Sequence, residues 1–288
     1  MNPLTRRLAR WIPWKPRWMA EFARQELLAS VFPITLFACL GITSFFHVLG
    51  LARYDALLLL CIAAQYVMWR IGWESTDEVK VIGVFHVLGL TLEIFKIHHG
   101  CWSYPAEGWT KIAGVPLYSG FMYASVASYF CQAWRRLEIR LIAYPSLRVS
   151  APLAAAIYLN FFLEHYLPDA RRLLIPLVFL VFARTKARYR IAGALYQMPV
   201  PLGLMAVGFF VWIAENIGTL LGAWRYPNQI HSWGLVDPAK ATSWFLLVVV
   251  TFLIVAQLKH VKEDRERRLR RREGERMRRA RRQIVRQT

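Results

Sequence analysis

The sequence has few acidic residues and few cysteines, and it lacks the common nucleotide and zinc motifs. It contains 18 Asp and Glu against 37 Lys and Arg, and its four cysteines form no C-x-x-C pair, which argues against a disulfide scaffold. P-loop, G-x-S-x-G, dinucleotide-binding and H-E-x-x-H motifs are absent as well. In contrast, 56% of the 288 residues are hydrophobic, which is too many for an ordinary soluble domain of this length. We therefore predict a membrane protein.

Long apolar runs predict the helices. A helix needs about 20 mainly apolar residues to cross a bilayer. The sequence has seven such runs and a shorter eighth, from Leu173 to Ala183, so we predict an all-α polytopic membrane protein with about eight transmembrane helices. The seven longer runs lie near 27–50, 54–73, 79–98, 113–134, 149–167, 195–221 and 241–258.

The basic residues predict the orientation. If the N-terminus lies inside, most of the 37 Lys and Arg residues fall on the cytoplasmic side of the eight spans. We therefore expect a bacterial plasma-membrane protein with both termini in the cytoplasm. No cleavable signal peptide is apparent before the first run, which is itself the expected targeting signal.

Two polar segments flank the predicted spans. Residues 1–26 form a basic cytoplasmic arm that contains Trp11, Trp14 and Trp18, and it either lies in the membrane interface or is a disordered leader. Residues 259–288 form a tail with 14 basic and five acidic residues. We expect this tail to contact anionic lipid headgroups rather than nucleic acid, because it has no aromatic residue for base stacking.

One motif occurs twice. Glu93–Pro105 and Glu215–Pro227 both read E-x6-G-x-W-x-Y-P, at an offset of 122 residues. The same offset aligns the first four predicted helices with the last four. We therefore predict an internal duplication, with one four-helix repeat in 27–148 and another in 149–258. An even number of spans separates the two copies, so the repeats are parallel and both motifs lie at the outer face.

The two motif glutamates are the main candidates for chemistry. An ionisable side chain at membrane depth is a functional candidate, so Glu93 and Glu215 are predicted as catalytic acids or proton relays, with His86 as a further candidate. The alternative is structural: each carboxylate accepts hydrogen bonds from the indole and phenol of a motif and locks the loop. For His86 the alternative is a packing role.

The remaining motif residues have two readings as well. The aromatic residues either bind a ligand or serve as an interfacial belt and loop support. Lys96 and Asn216 are further predicted ligand groups. The glycines permit close helix approach or a left-handed helix end, and the prolines stop the helix. The motif aromatics are Trp102, Tyr104, Trp224 and Tyr226, and the structural positions are Gly100, Pro105, Gly222 and Pro227.

No cofactor or metal site is expected. The only adjacent histidines are His98 and His99, and no histidine stands at the distances that membrane di-iron enzymes require. The first half is the richer in polar groups, because Gly208 and Gly218 replace His86 and Lys96 in the second. If only one copy is active, we expect it to be the first.

Segments 24–43, 90–129 and 215–245 resemble the YoaT-like bacterial integral membrane proteins, a family of unassigned activity. The resemblance covers nearly the whole chain except the tail. A weaker local resemblance concerns membrane lycopene cyclases and carotenoid hydratases, which place an acidic residue ahead of a G-x-W-x-Y loop and a proline. The residues that fit this pattern are Glu93, Gly100, Trp102, Tyr104 and Pro116, whereas Leu117 and Tyr118 stand where the cyclases have paired acidic residues.

Three functions remain open. The first is an outer-leaflet pocket for a hydrophobic or amphipathic ligand, with possible acid-catalysed chemistry in which Glu93 protonates an isoprenoid or polyene double bond. The second is a proton-coupled transporter, for which Pro199 and Pro201 are the one hint of a broken helix. The third is a structural or partner-binding membrane protein.

Overall fold

The computed structural model describes residues 16–48 and 50–260, and within them the chain is mostly helical. In this described part of the chain, five short strands, β1 to β5, and one 3-10 turn join the helices. The helices are α1 (Pro16–Ala29), α2 (Val31–Phe45), α3 (Arg53–Arg70), α4 (Thr76–His98), α5 (Ser119–Arg136), α6 (Leu147–Leu163), α7 (Arg171–Val181), α8 (Val200–Leu220) and α9 (Lys240–His260). The strands are β1 (Lys111–Ile112), β2 (Val115–Pro116), β3 (Arg140–Ile142), β4 (Lys186–Ile191) and β5 (Ala194–Pro199).

The prediction of a membrane protein is confirmed at the level of its helices. Within the described residues, α4, α8 and α9 are long and apolar enough to cross a bilayer. The pair α1 and α2 has the composition of a fourth span but bends by 64° between the two helices. Helix α7 overlaps most of the short predicted run but has only 11 residues, fewer than the about 20 that a span needs.

The purely helical prediction is wrong at two of the seven long runs. Run 113–134 begins with the turn and second strand of the β1–β2 hairpin, and run 195–221 begins with β5. Each hairpin turns through an Ala-Gly pair with positive φ, Ala113–Gly114 and Ala192–Gly193, as two-residue type I′ turns require. In β4, residues 186–191, the side chains alternate between polar and apolar, which is a strand pattern, but this segment lies just before the predicted run.

Glycine allows α4 and α5 to pack closely. A Cβ atom on Gly89 would lie 2.5 Å from the Tyr123 ring, and one on Gly120 would lie 2.7 Å from Nδ1 of His86. Helix α9 runs through the main apolar core, where Leu246 and Val249 are fully buried. A second core joins α2 and α3 to the loops that follow α4 and α8, and it contains both copies of the motif.

The opposite end of the bundle carries a buried acidic network. Ser75 and Glu78 form a capping box at the start of α4, and Lys259 near the end of α9 donates to Glu78 over 3.0 Å. Glu74, before α4, is 1% exposed and accepts hydrogen bonds from Gln65 and Ser128. The sequence pattern did not point to Glu74 and Glu78, because neither lies in the repeated motif.

Replacing Glu74 with glutamine should stabilise the protein, and more so as the pH rises. Burial raises the pKa of the Glu74 carboxyl, so the folded protein favours its neutral form. Wild-type stability should fall as the pH rises from the unfolded-state pKa of about 4.3 through the raised folded value. Glutamine stays neutral, and its amide can donate to Gln65 Oε1, which has no partner within the described residues. Melting temperatures of both proteins between pH 4 and pH 8 test this, and a constant difference would contradict it.

Candidate ligand site at the paired motifs

The first motif closes on its own glutamate. Helix α4 ends where Gly100 adopts a left-handed conformation, with φ +67°, and the chain folds back over the helix. Trp102 Nε1 and Tyr104 OH then donate to Glu93 Oε2 over 2.7 and 2.9 Å. Tyr123 of α5 donates to Glu93 Oε1 over 2.7 Å. Glu93 is 3% exposed, so three neutral donors surround a buried carboxyl group.

The second motif repeats this geometry. Helix α8 ends at a glycine with the same φ of +67°, Gly222. Trp224 Nε1 and Tyr226 OH donate to Glu215 Oε1 over 3.0 and 2.5 Å. Glu215 is 5% exposed, and Pro227–Gln229 form a 3-10 turn after the motif. In both copies the indole and the phenol thus reach the glutamate from nine and 11 residues downstream.

The two motif loops contact each other. Ser103 and Arg225 hold equivalent positions in the two motifs and exchange two backbone hydrogen bonds of 2.9 Å. Next to this bridge, the ring of Trp102 meets the ring of Tyr226 edge to face, with centroids 6.0 Å apart. No hydrogen bond within the described residues joins the two motif glutamates. The two copies thus form one structural unit in which each carboxyl group keeps its own aromatic donors.

A lysine lies at the junction of the two motifs. Lys240, the first residue of α9, places its ammonium 4.7 Å from the Tyr226 ring centroid and 5.6 Å from that of Trp102. It is also near enough to Glu215 for an electrostatic interaction. Sequence analysis missed this residue, and the only available signal was its position just after the turn that follows the second motif.

A second polar cluster surrounds Lys96. This side chain is 4% exposed and donates to Glu164 and, over 3.0 Å, to His165 Nε2. The His165 ring stacks on His99 at 4.5 Å, and Cys101 Sγ lies 3.6 Å from His165 Nε2. Lys96 is therefore held in a buried ion pair and is not open to a ligand in this conformation.

A cleft of about 300 Å³ lies beside the motifs. Ala106 and Glu107, just after the first motif, form one side of it. Arg53 forms the other side and donates to the carbonyl oxygens of Leu221 and Gly222 over 2.8 and 2.9 Å, so it contacts the second motif. The remaining lining residues are Thr43, Ser44, Phe45, Phe46, His47, Val48, Leu51, Ala52 and Ala56.

Comparison with known proteins identifies the family. The family model described as "Protein of unknown function (DUF817)" matches residues 18–252. The chain belongs to the DUF817 family. This DUF817 chain is 55% identical over 246 residues to the "Uncharacterized protein YoaT" of Bacillus subtilis (strain 168), which covers 85% of this chain and 93% of that protein. The predicted YoaT-like family is therefore confirmed.

Solved structures show a partial likeness. The crystal structure of MvINS, a mycobacterial Insig homolog from Mycobacterium vanbaalenii, matches with a TM-score of 0.47 and 14% identity, over 63% of this chain and 93% of that one. A cross-linked MvINS trimer matches with a TM-score of 0.47 and 13% identity, over 64% and 95% of the two chains. None of these matches is to a lycopene cyclase or a carotenoid hydratase, so that resemblance stays a prediction.

Two predicted site residues of the DUF817 chain lie apart from the motif carboxyl groups. The His86 ring packs against Phe121, with centroids 4.6 Å apart, and no hydrogen bond in the described part of the chain joins it to either motif glutamate. Asn216 donates to the carbonyl of Trp212 over 2.8 Å and accepts from the backbone of Val236 over 2.9 Å. Asn216 therefore ties α8 to the loop that precedes α9.

The predicted structural glycines and prolines take equivalent positions in the two motifs. Gly100 and Gly222 both have positive φ, and Pro105 and Pro227 both follow the tyrosine that contacts the glutamate. Sequence analysis missed Tyr123 and Arg53, because each comes from a different helix. In residues 16–48 and 50–260, no group of three or more His, Cys, Asp or Glu side chains is arranged to hold a metal ion.

Proposed function

We propose that the chain is a multi-pass protein of the bacterial plasma membrane with eight spans and both termini in the cytoplasm. Helices α2–α5 and α6–α9 would form two parallel repeats. An offset of 122 residues moves α4 to 198–220, where α8 covers 200–220, and moves α5 to 241–258, where α9 covers 240–260. The distribution of basic residues favours this orientation. Helix α7 is the shortest span and requires local thinning of the bilayer.

The flanking segments complete this arrangement. The arm, 1–26, contains the start of α1, where Trp18 stacks on Phe22 with centroids 5.2 Å apart. Trp11 and Trp14 lie outside the described residues, as does the tail from 261 onward. We propose that the basic tail contacts anionic headgroups of the inner leaflet.

The cleft beside the paired motifs is the proposed binding site for a hydrophobic or amphipathic ligand in the outer leaflet. Its volume of about 300 Å³ is the observation that carries the proposal. Ligand sites are concave, mainly apolar and supplied with a few polar groups, and their volumes begin at about 300 Å³. The cleft combines Phe45 and Phe46, which are 77% and 69% exposed, with the guanidinium of Arg53. An apolar chain can contact the rings while a polar head lies near the cation.

The motif glutamates support this site structurally, because each one holds its motif loop in place through hydrogen bonds. Both oxygens of Glu93 already accept hydrogen bonds, and the side chain is 3% exposed. A polyene could reach this carboxyl group only after Trp102 or Tyr104 moved away, so the geometry favours binding over double-bond protonation. Proton-coupled transport gains no support from Pro199 and Pro201, which lie at the end of β5 and the start of α8 rather than inside a helix.

Filling the cleft should remove the ligand. Ala106 lines the cleft with a small side chain, so the variant Ala106→Phe would occupy part of its volume. We expect mass spectrometry of organic extracts of the purified wild-type protein to find one lipid-like species enriched over bulk bilayer lipids, near one copy per chain. In Ala106→Phe the enrichment should fall by at least tenfold.

The variant Ala63→Phe is the matched control. Ala63 is exposed on α3 and does not line the cleft, so the same gain in volume should leave the bound species unchanged. Circular dichroism and melting curves verify that both variants are folded. The proposal fails if the wild-type protein carries no enriched species, or if Ala106→Phe retains it at wild-type level.

A further inference from the structure

The three-stranded sheet has one apolar face and one basic face. Strand alternation places Tyr189 and Ile191 on the side that packs against Trp18 of α1, and these two residues are 3% and 2% exposed. Lys186 and Arg188 point to the opposite side of β4 together with Arg190. None of the three side chains is buried: Lys186 and Arg190 are exposed, and Arg188 is half-buried.

The described part of the chain leaves most of the positive charge on this face without an ion-pair partner. Arg140 of β3 lies directly opposite Arg188 of β4, and like charges in such cross-strand pairs are destabilising. Arg190 pairs with Glu138 over 3.0 Å. Across residues 16–48 and 50–260, Arg140, Lys186 and Arg188 form no ion pair. Such a face is suited to anions supplied from outside the chain.

The position of the sheet indicates where those anions are. Strand β5 ends at Pro199, and α8, which is long and apolar enough to cross a bilayer, begins at the next residue. The sheet therefore lies at the point where the chain enters the membrane. Ile142 and Leu195 are the cross-strand partners of Lys186 and Arg190, so they lie on the same face of the sheet as these cations. Both apolar side chains are half-buried. Basic side chains interleaved with apolar ones are typical of a surface that contacts the lipid headgroup region.

We propose that this basic face binds the headgroups of anionic phospholipids in the adjoining leaflet. Each Lys or Arg near an anionic membrane surface strengthens association about fivefold, so a small patch has a measurable effect. Nucleic acid is the less suitable partner, because the tyrosines of the sheet lie on the opposite, buried face and are not available for base stacking.

Hydrogen exchange in nanodiscs tests the proposal on the full chain. The backbone amides of 186–199 should exchange at least threefold more slowly in nanodiscs containing phosphatidylglycerol than in nanodiscs of phosphatidylcholine alone. The double variant Lys186→Gln, Arg188→Gln should lose this difference. Readout at these amides separates the sheet from the basic tail, which also attracts anionic lipid. The charge-conserving variant Lys186→Arg, Arg188→Lys should keep the protection.

A matched double variant removes the same charge elsewhere. Arg70 and Lys80 are exposed and lie near the α3–α4 connection, so Arg70→Gln, Lys80→Gln should leave the protection of 186–199 intact. Equal exchange in the two lipids, or equal loss of protection in both double variants, overturns the proposal. Protection by inorganic phosphate or an oligonucleotide in neutral detergent, equal to that by phosphatidylglycerol, also overturns it, because the partner would then be a soluble anion.

Discussion

The variant Glu93→Leu should melt on the order of 10 °C below the wild-type protein. Among the described residues, leucine removes the only acceptor of three donors, the half-buried indole of Trp102 and the buried phenols of Tyr104 and Tyr123. Each buried donor left without a partner costs about 1–3 kcal/mol. The three contacts also join α4 to α5 and to the motif loop, so their loss should release the end of the bundle. Thermal unfolding in detergent, followed by circular dichroism, measures the effect.

The size of the loss should follow the number of donors. Glu215→Leu leaves the two donors of its own motif, Trp224 and Tyr226, without their acceptor, so its melting temperature should fall by less. Glu93→Gln keeps one acceptor oxygen and should lie between wild type and Glu93→Leu. The control is Glu107→Leu, because Glu107 is exposed and should change stability by less than about 0.5 kcal/mol. If Glu93→Leu were as stable as the wild-type protein, Glu93 would not be the residue that holds the first motif loop in place.

The sequence predicted the part of the site that is local in the chain. Glu93, Trp102 and Tyr104 lie within 11 residues of one another, so a loop folded onto its glutamate was one of the two interpretations that the sequence offered. Tyr123 and Lys240 reach the same place from other helices. No spacing rule gives such tertiary contacts, and a single sequence without a structure cannot pair these helices.

The predicted fold was wrong where hydrophobicity averaged along the chain did not distinguish a strand from a helix. Average hydrophobicity located the helices, because a long apolar segment has few alternatives in a membrane. It failed over 195–199, which form strand β5 and continue the hairpin of β4. The two-residue period is confined to β4, outside the run, and within the run the apolar helix that begins at Val200 dominates the average.

The two motifs differ three residues after the glutamate, and this difference determines how each tryptophan packs. The second motif has Gly218 at this position, and the Trp224 ring lies directly on it and is 6% exposed. The first motif has Lys96, which extends to Glu164 instead. Trp102 remains half-buried and meets the aromatic ring of the other motif. The glycine thus accounts for the deeper burial of Trp224 relative to Trp102.

The variant Gly218→Ala should therefore destabilise the protein by about 2–3 kcal/mol, as overpacking of a filled core does. The added Cβ atom would lie 2.7 Å from Cζ3 of Trp224, inside the van der Waals contact distance. The ring cannot retreat without lengthening its 3.0 Å hydrogen bond to Glu215. Chemical or thermal unfolding of the purified protein measures the loss. Gly41→Ala is the matched control, because a Cβ there meets nothing within 4 Å and alanine should stabilise the helix by up to about 1 kcal/mol.

A double-mutant cycle assigns the cost of Gly218→Ala to the tryptophan. Trp224→Phe replaces the indole by a smaller ring and leaves space for the methyl group, so Gly218→Ala should cost at least 1 kcal/mol less in that background, within the usual range of about 0.5–3 kcal/mol for residues in contact. A coupling of this sign means that glycine is required because the indole must reach Glu215. Additive effects would instead mean that alanine disturbs α8 itself, and the contact of the indole with Gly218 would then not explain why Trp224 is more deeply buried than Trp102.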